Sequence, residues 1–493
     1  MGREEQIIKS RKEKIDKLRA EGIDPYPHFF EKKDWIKDIR AKYSNLTAGA
    51  NSGEEVQTAG RLIARREFGK ISFGVLREES AEIQIVLDSS SPKESARLFK
   101  KFVDIGDFIG VRGEVGKTKR GELSVMVREI KVLSKSIRPL PEKWHGLKDK
   151  EERYRKRYLD LLMNPEVKEV FNKREKILQE IRNFMLSRGF HEVETPYLQT
   201  VYGGASARPF KTHLNALDID LYLAISPELY LKRLIVGGYE KVFTIARNFR
   251  NEGIDKWHNP EFTMMEIYQA YADYNTMMEL FEDLYIHVVK SLYGKTKIKY
   301  RDTTLDFKKP WKRMTMLQAI KEFAKIDIEK MSDEEVIAFA EKHNLELKER
   351  KWGWAVQAIF EEFCEKELIQ PTFILDHPIE TTPLCKPHRN DPSKRLIERF
   401  EPFCMGAELG NAYSELNDPV LQRELLKQQQ KMLSKGDEEA NPYDEDFVQA
   451  IETGMPPTGG LGVGIDRMII LLTNQESIRD VILFPFMKPL KGE

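Results

Sequence analysis

An α+β chain in two unequal parts is expected, and three observations carry the expectation. Between Val56 and Leu133 apolar residues alternate with polar ones at period two, the mark of half-buried strands. After Pro165 the apolar positions change to helical spacing, and beyond that helix strand-like and helix-like stretches alternate. At 493 residues the chain exceeds the size at which a single core stops growing, so two or three domains are required, one of them large.

Composition narrows the class. Hydrophobic residues at 41% with 32% charged residues fit a soluble globular protein and exclude a disordered or membrane one. No segment approaches about 18 consecutive apolar residues. The start, MGREEQIIKSRKEKIDKLRA, has no apolar leader or small-residue cleavage site, so a cytoplasmic location is expected. Cys364, Cys385 and Cys404 lack the paired spacing of a zinc site or disulfide framework and are expected to be reduced and packed. A formal net charge of zero excludes a coat of one sign but not local patches.

In chain order, residues 1–50 form a helical extension whose Lys and Arg, mixed with Glu and Asp at helical spacing, suit a solvated helix or one that touches RNA. Over 51–138 come ISFGVL with Ile71, Phe73 and Val75, IQIVL with Ile83, Ile85 and Leu87, then DFIGVRGEV and GELSVMVREIKVL. With Gly-bearing turns such as GKTKRGEL, five short strands in this span fit a small barrel of the oligonucleotide-binding (OB) kind. Two prolines and a dense run of both charges make 139–165 a linker. Val167, Val170, Phe171, Ile177, Leu178, Ile181, Phe184 and Met185 then define a long amphipathic helix that ends at the glycine of RGF. HEVETPYLQ, KVFTIARNFRNE and EFTMMEIYQAY are expected strands, and PELYLKRLIVGG a helix. A helical insertion occupies about 275–375, where Ser332, Glu334 and Glu335 mark a helix start.

Three stretches carry chemistry. In FRNEGIDKWHNPEFTMMEIY, Arg250 and Glu252 share a parity, as do Phe262, Met264, Glu266 and Tyr268 across a long loop, so two antiparallel strands would present both signs of charge and two rings together. By itself this pattern also fits an exposed sheet face with cross-strand ion pairs. In ERFEPFCMGAELGNAYSELND, Asn411, Tyr413 and Glu415 share a face, and the nearby Glu401 and Glu408 are oxygen donors of the type Mg²⁺ takes. In GGLGVGIDRMIILL, Gly460, Gly462 and Gly464 alternate before Arg467. A dinucleotide fingerprint would open a βαβ unit, which these C-terminal glycines do not. Glycines on one strand face instead let another group approach the backbone, and an arginine at the strand end can meet phosphate or a stacked ring.

The three pieces together resemble the signature motifs of class II aminoacyl-tRNA synthetases: FNKREKILQEIRNFMLSRGFHEVETP the first, FRNE with HNPEF the second, GLGVGIDR the third. With the N-terminal barrel, the chain resembles the subclass that charges lysine, aspartate or asparagine, and GGASARPF, PELYLKRL, HNPEFTMMEIY and NAYSELND resemble its lysine-charging members. The resemblance implies an OB-fold anticodon-binding domain followed, over 166–493, by a class II catalytic domain built on an antiparallel sheet flanked by helices. It implies activation of L-lysine by ATP to lysyl-adenylate and pyrophosphate, then transfer to the 3′-terminal adenosine of tRNA(Lys).

By the same resemblance Arg250 bridges the lysine carboxylate and the α-phosphate and, with Arg467, is catalytic. Adenine would lie between Phe262 and Arg467, Glu252, His258 and Asn259 would touch the nucleotide, and Glu401 and Glu408 would carry Mg²⁺. Gly204 and Glu228 would sit near the α-amino group, with Glu266, Tyr268, Asn411, Tyr413 and Glu415 around the side chain. Arg66, Phe73, Gln84 and Glu122 match the anticodon-reading set, although simple alternation with Ile71 and Val75 would bury Phe73. A homodimer is implied through the first motif, with Pro196 at its interface. The related aspartate-charging reading meets an objection in charge, because an aspartate pocket needs cations and Glu266 and Glu415 are anions. An inactive tRNA-binding protein would be expected to have lost some of these residues.

Overall fold

The structure is a computed structural model that describes residues 2–79, 81–141, 147, 149–391 and 393–490. It divides into two compact units, Met1–Leu147 and Lys148–Glu493.

In the first unit the strands Asn51–Phe68, Ile71–Arg77, Glu82–Leu87, Phe108–Lys117 and Leu123–Ser134 close into a barrel in the order first, second, third, fifth, fourth. Closure pairs what would otherwise be exposed sheet edges. Leu62, Leu76, Ile83, Ile85, Val111 and Val125 fill the interior. The second strand reverses the expected alternation: Ser72, Gly74 and Leu76 point inward, while Ile71, Phe73 and Val75 face outward. Volume explains this, since a Cβ on Gly74 would stand 2.8 Å from Leu62 and 2.9 Å from Ile85, leaving no room there for a ring. Phe73 is therefore free of the core.

The extension is tied to this barrel rather than solvated. Leu18 of helix Arg3–Ala20 and Ile36 and Ile39 of helix Ile36–Lys42 belong to the barrel core. The buried Arg11 donates to the carbonyls of Ser136 (2.8 Å), Arg138 (3.1 Å) and Ile105 (3.0 Å).

The second unit begins inside the segment expected to be linker. Helices Lys150–Arg155 and Arg157–Met163 lie in 139–165, and the Arg157 guanidinium is buried, donating to Asp160 (2.7 Å) and to the carbonyls of Leu483 (2.9 Å) and Arg479 (2.8 Å). A run of mixed charge conceals such an internal arginine. Helix Pro165–Ser187 follows and buries Val170, Ile177, Ile181, Phe184 and Met185, ending before Gly189, whose φ of 78° is the left-handed stop that glycine permits.

The sheet of this unit runs Lys312–Thr315, Thr372–Pro378, Leu396–Cys404, Gly410–Ser414, Thr458–Gly464, Glu261–Ala270, Lys241–Phe249 and His191–Glu192, with Ala407–Glu408 paired to the third of these. Its centre is antiparallel and its two outermost pairings are parallel. HEVETPYLQ gives only His191–Glu192 and Leu198–Gln199, the latter in a separate sheet with Lys211–Leu214 and Ile219–Leu223. Helix Tyr274–Tyr293 lies within the span expected to be an insertion, yet it packs on the sheet with Met277, Phe281, Leu284, Tyr285 and Val288 wholly buried. A helix so apolar must be central. The strands Lys312–Thr315 and Thr372–Pro378 are likewise part of the main sheet, so the added helical layer is Met316 to Phe363, with its own core of Ile320, Val336, Ile359 and Phe360. There Ser332 caps helix Asp333–Lys342 reciprocally with Glu335, as expected. The three cysteines are buried and unpaired. Among the described residues no helix is long and apolar enough to cross a membrane.

Candidate functional site

The central glycine strand Thr458–Gly464 is the floor of a cavity of about 340 Å³. In register, Glu266 and Asn411 flank Gly462, and Tyr268 and Tyr413 flank Gly460, so both neighbouring strands lift their side chains on one side of a bare backbone. A Cβ on Gly460 would meet Glu415 Oε1 at 1.9 Å and Tyr268 at 2.7 Å, so the approaching group foreseen from the glycines is the protein's own carboxylate. Every residue of this unit singled out for ATP, lysine or metal lines the cavity: Gly204, Glu228, Arg250, Glu252, His258, Asn259, Phe262, Glu266, Tyr268, Glu401, Glu408, Asn411, Tyr413, Glu415 and Arg467.

One end is acidic and closed to water. Glu228, Glu266 and Glu415 are all buried. Ser226 Oγ donates to Glu266 Oε1 and Tyr268 OH to Oε2, each at 2.9 Å. Lys232 Nζ lies 2.6 Å from Glu228 Oε1 and 2.5 Å from Glu415 Oε2. The contact to Glu415 is an ion pair without hydrogen-bond alignment, and among the described residues neither oxygen of Glu415 receives a directed hydrogen bond. Burial, then the charge of Glu228, pushes the Glu266 carboxyl up to about 7. Burial pushes Glu415 up to about 8 against the pull of Lys232. Burial raises Glu228 too, again against Lys232. A Cβ on Gly204, whose φ is +87°, would stand 2.8 Å from the Glu228 side chain, space only a glycine leaves. Asn411 bridges Arg399 (3.0 Å) and the Tyr413 hydroxyl (2.7 Å).

The other end carries cations, rings and two further carboxylates. Strand Lys241–Phe249 stops just before Arg250, so Arg250 and Glu252 do not alternate along a strand as expected; HNP folds back, and the Arg250 N–H donates to the Pro260 carbonyl (2.9 Å). The Arg250 guanidinium stands 5.1 Å from the Phe262 ring centre. Arg467, in the first turn of helix Ile465–Leu472, donates to the Glu408 carbonyl (2.7 Å) and Oε2 (3.2 Å) and lies 3.2 Å from His258 Nε2. Asp255 meets His258 Nδ1 at 2.8 Å. Asn259 donates to the Glu261 carbonyl (2.6 Å), while its buried Oδ1 has no partner among the described residues. Arg399 holds Oε1 of Glu401. Glu408 lines the cavity wall, where burial and the neighbouring Glu401 raise its pKa against Arg467 and Arg399. Among the described residues no group of three or more His, Cys, Asp and Glu side chains is arranged to hold a metal unaided. The three motifs meet at Asp466, which accepts from Arg174 of the long helix (2.6 Å) and from the Thr263 N–H (2.7 Å).

Lys232, Ser226 and Arg399 are additions that sequence reading missed. For Lys232 a signal existed, the helical i, i+4 pair with Glu228 in PELYLKRL. Ser226 offers none.

On the barrel, Arg66 pairs in register with Phe73, Gln84 with Val75 and Ser124, and Ser124 Oγ lies 2.9 Å from Gln84 Oε1 and 3.1 Å from the Glu122 carbonyl. Adjacent strands thus carry three of the four residues expected to read an anticodon, and Glu122 stands in the turn just before Leu123. Phe68, not foreseen, is 66% exposed with its ring edge-to-face on Phe73 at 6.2 Å.

Sequence comparison places the chain among known proteins. Residues 149–488 match the family of tRNA synthetases class II (D, K and N), and residues 56–133 match the OB-fold nucleic acid binding domain. The lysine–tRNA ligase of Thermotoga maritima is 52% identical over 485 residues, 98% of this chain and 96% of that protein. That of Thermoanaerobacter pseudethanolicus is 51% identical over 487 residues, with the same coverage, and that of Syntrophomonas wolfei is 50% identical over 492 residues, 99% of this chain and 98% of that protein. With the family match spanning most of the chain and relatives at such identity over nearly its full length, the chain belongs to the class II tRNA synthetases of the D, K and N group.

Proposed function

We propose that the chain is a lysine–tRNA ligase, and the observation that carries the reading is the closed acidic end of the cavity, where three buried carboxylates, Glu228, Glu266 and Glu415, have Lys232 as their only resident ammonium among the described residues. One ammonium cannot balance three carboxylates, and a lysine side-chain ammonium supplies further positive charge. An isostere without the ammonium would leave the excess carboxylate charge uncompensated at about 3–5 kcal/mol, roughly two to three and a half decades of discrimination. Glu266, Tyr268, Asn411 and Tyr413 shape the same end, and Gly204 and Glu228 suit the α-amino group.

In the first step the lysine carboxylate attacks the α-phosphate of ATP and pyrophosphate leaves. Arg250 lines the same cavity, with its guanidinium 5.1 Å from the Phe262 ring centre, and can hold carboxylate and phosphate together as charge grows. Phe262 and Arg467 offer a ring and a planar cation for adenine, and Glu252, His258 and Asn259 border the nucleotide. Glu401 and Glu408 fit a hard cation: the arginines engage one oxygen of each, and their mutual repulsion is what a divalent ion relieves. Two carboxylates with substrate phosphates are the usual Mg²⁺ environment, and the ion would supply charge neutralisation of the phosphates. In the second step a hydroxyl of the terminal tRNA adenosine attacks the adenylate; no side-chain nucleophile is needed. Arg66, Phe73, Gln84 and Glu122 read the anticodon, Phe73 by stacking. A homodimer about the exposed Pro196, Tyr197 and Leu198 and a cytoplasmic location complete the proposal.

The test is attachment of labelled lysine to tRNA(Lys) with ATP and Mg²⁺. Lysyl-tRNA with lysine and none with aspartate or asparagine is expected; charging with aspartate would refute the reading.

A further inference from the structure

Lys232 lies behind the acidic wall of the cavity, against Glu228 and Glu415. It sits one turn after Glu228 on helix Glu228–Val236, wholly shielded from water, and ties that helix to Glu415 at the end of strand Gly410–Ser414. Glu266 completes a set of three buried carboxylates around one ammonium. Tyr268, Tyr413 and Cys385, the other titratable groups facing them, are held neutral by burial, and the nearby Arg399 is engaged by Glu401. With its three carboxyls ionised the pocket falls two positive charges short of balance, and buried charge without a counter-charge is costly.

We infer that Lys232 is a positioning residue for amino-acid specificity: its ammonium fixes Glu228 and Glu415 and sets the deficit at two, so that the amino acid which fits carries two ammonium groups. This rests on the lysine reading, in which substrate brings an α-ammonium and a side-chain ammonium and gives its carboxylate to Arg250. Glu266 and Glu415 stay partly protonated up to about 7 and about 8 even with Lys232 in place. Removing the resident cation makes them hold protons to higher pH still, because a neighbouring opposite charge lowers a carboxyl pKa by about one to three pH units.

The experiment is lysine-dependent pyrophosphate exchange, with kcat/KM for lysine followed from about pH 5.5 to 9 in the wild type and in Lys232→Met, Lys232→Gln and Lys232→Arg. The neutral variants should raise the KM for lysine about tenfold or more and move the acid limb to higher pH by about one unit, with the KM for ATP unchanged. Lys232→Arg, which keeps the charge, should leave the limb in place even where its bulk raises the KM. A raised KM with an unmoved limb in Met and Gln would mean packing alone and overturn the inference. Gln retains a hydrogen-bonding end should Met fail to fold. Should both fail, calorimetry of the wild type in two buffers reads the charge count: protons are released on lysine binding near pH 6.5 and not near pH 8.5, and absence of release overturns the inference. No lysine-dependent exchange by the wild type would instead defeat the underlying reading, a result distinct from an unmoved limb.

Discussion

On the barrel, Arg66, Phe73 and Gln84 reach solvent from separate strands and Glu122 from the turn before the last strand, whereas in the larger unit Glu228, Glu266 and Glu415 are shut from water, with one ammonium pairing two of them. Side chains that keep water on one side interact weakly with one another, so an RNA base would be read by contributions that nearly add. Buried carboxylates shift each other's protonation, as Glu228 does to Glu266, so the amino acid is selected by a set that gains or loses function together. In the proposed function, open and additive recognition would serve a large flexible ligand, and closed, coupled recognition a small charged one.

The largest expected effect breaks the coupled side. Arg250→Ala should lower lysine-dependent pyrophosphate exchange by about 10²–10³-fold or more while tRNA binding, followed by filter retention, is kept. Next, Glu415→Gln should lower kcat/KM for lysine by about 10²–10³-fold with the KM for ATP nearly unchanged, read by the same exchange assay. On the additive side, Phe73→Ala should cost about 1–3 kcal/mol in kcat/KM for tRNA, roughly ten- to a hundredfold, and leave exchange without tRNA intact. Loss of exchange in Phe73→Ala would erase the contrast between the two regions.

A smaller effect concerns pH. Glu266 and Glu415 keep their protons up to about 7 and about 8 in the folded protein, against an ordinary carboxyl value of 4.5. Folding therefore takes up protons in that window, and the contribution of these groups to stability falls as pH rises from about 4.5 to 8. Lysine relieves the exposed charge, so the rise in Tm caused by lysine should be larger at pH 8 than at pH 6, measured by calorimetry. An equal or smaller rise at pH 8 would contradict the coupled picture. Smallest of all, Ser332→Ala removes a helix cap remote from both regions; it should cost about 1 kcal/mol in urea unfolding and leave exchange and charging unchanged.

Legibility in the sequence divides along the same line. The barrel strands and the long helix from Pro165 followed from periodicity, because exposed alternation and helical stripes are local properties, whereas the gathering of the three motifs followed from the resemblance to class II synthetases. The outward facing of Phe73 runs against simple alternation, since the volume taken by Leu62 and Ile85 decides which face of that strand is inside. Arg157 and helix Tyr274–Tyr293 misled for opposite reasons: a buried arginine in a charged run reads as surface, and an apolar helix in a helix-rich stretch reads as an appendage. Lys232 was hidden because a lysine four residues after a glutamate looks like a surface pair, and only the tertiary fold brings Glu415 to its other side.

The most direct test of the central claim is exchange of labelled pyrophosphate into ATP with each standard amino acid in turn, with Mg²⁺ and without tRNA. Exchange supported by lysine alone is predicted from the three carboxylates and their resident ammonium. Exchange supported by aspartate or asparagine, or by no amino acid, would contradict it.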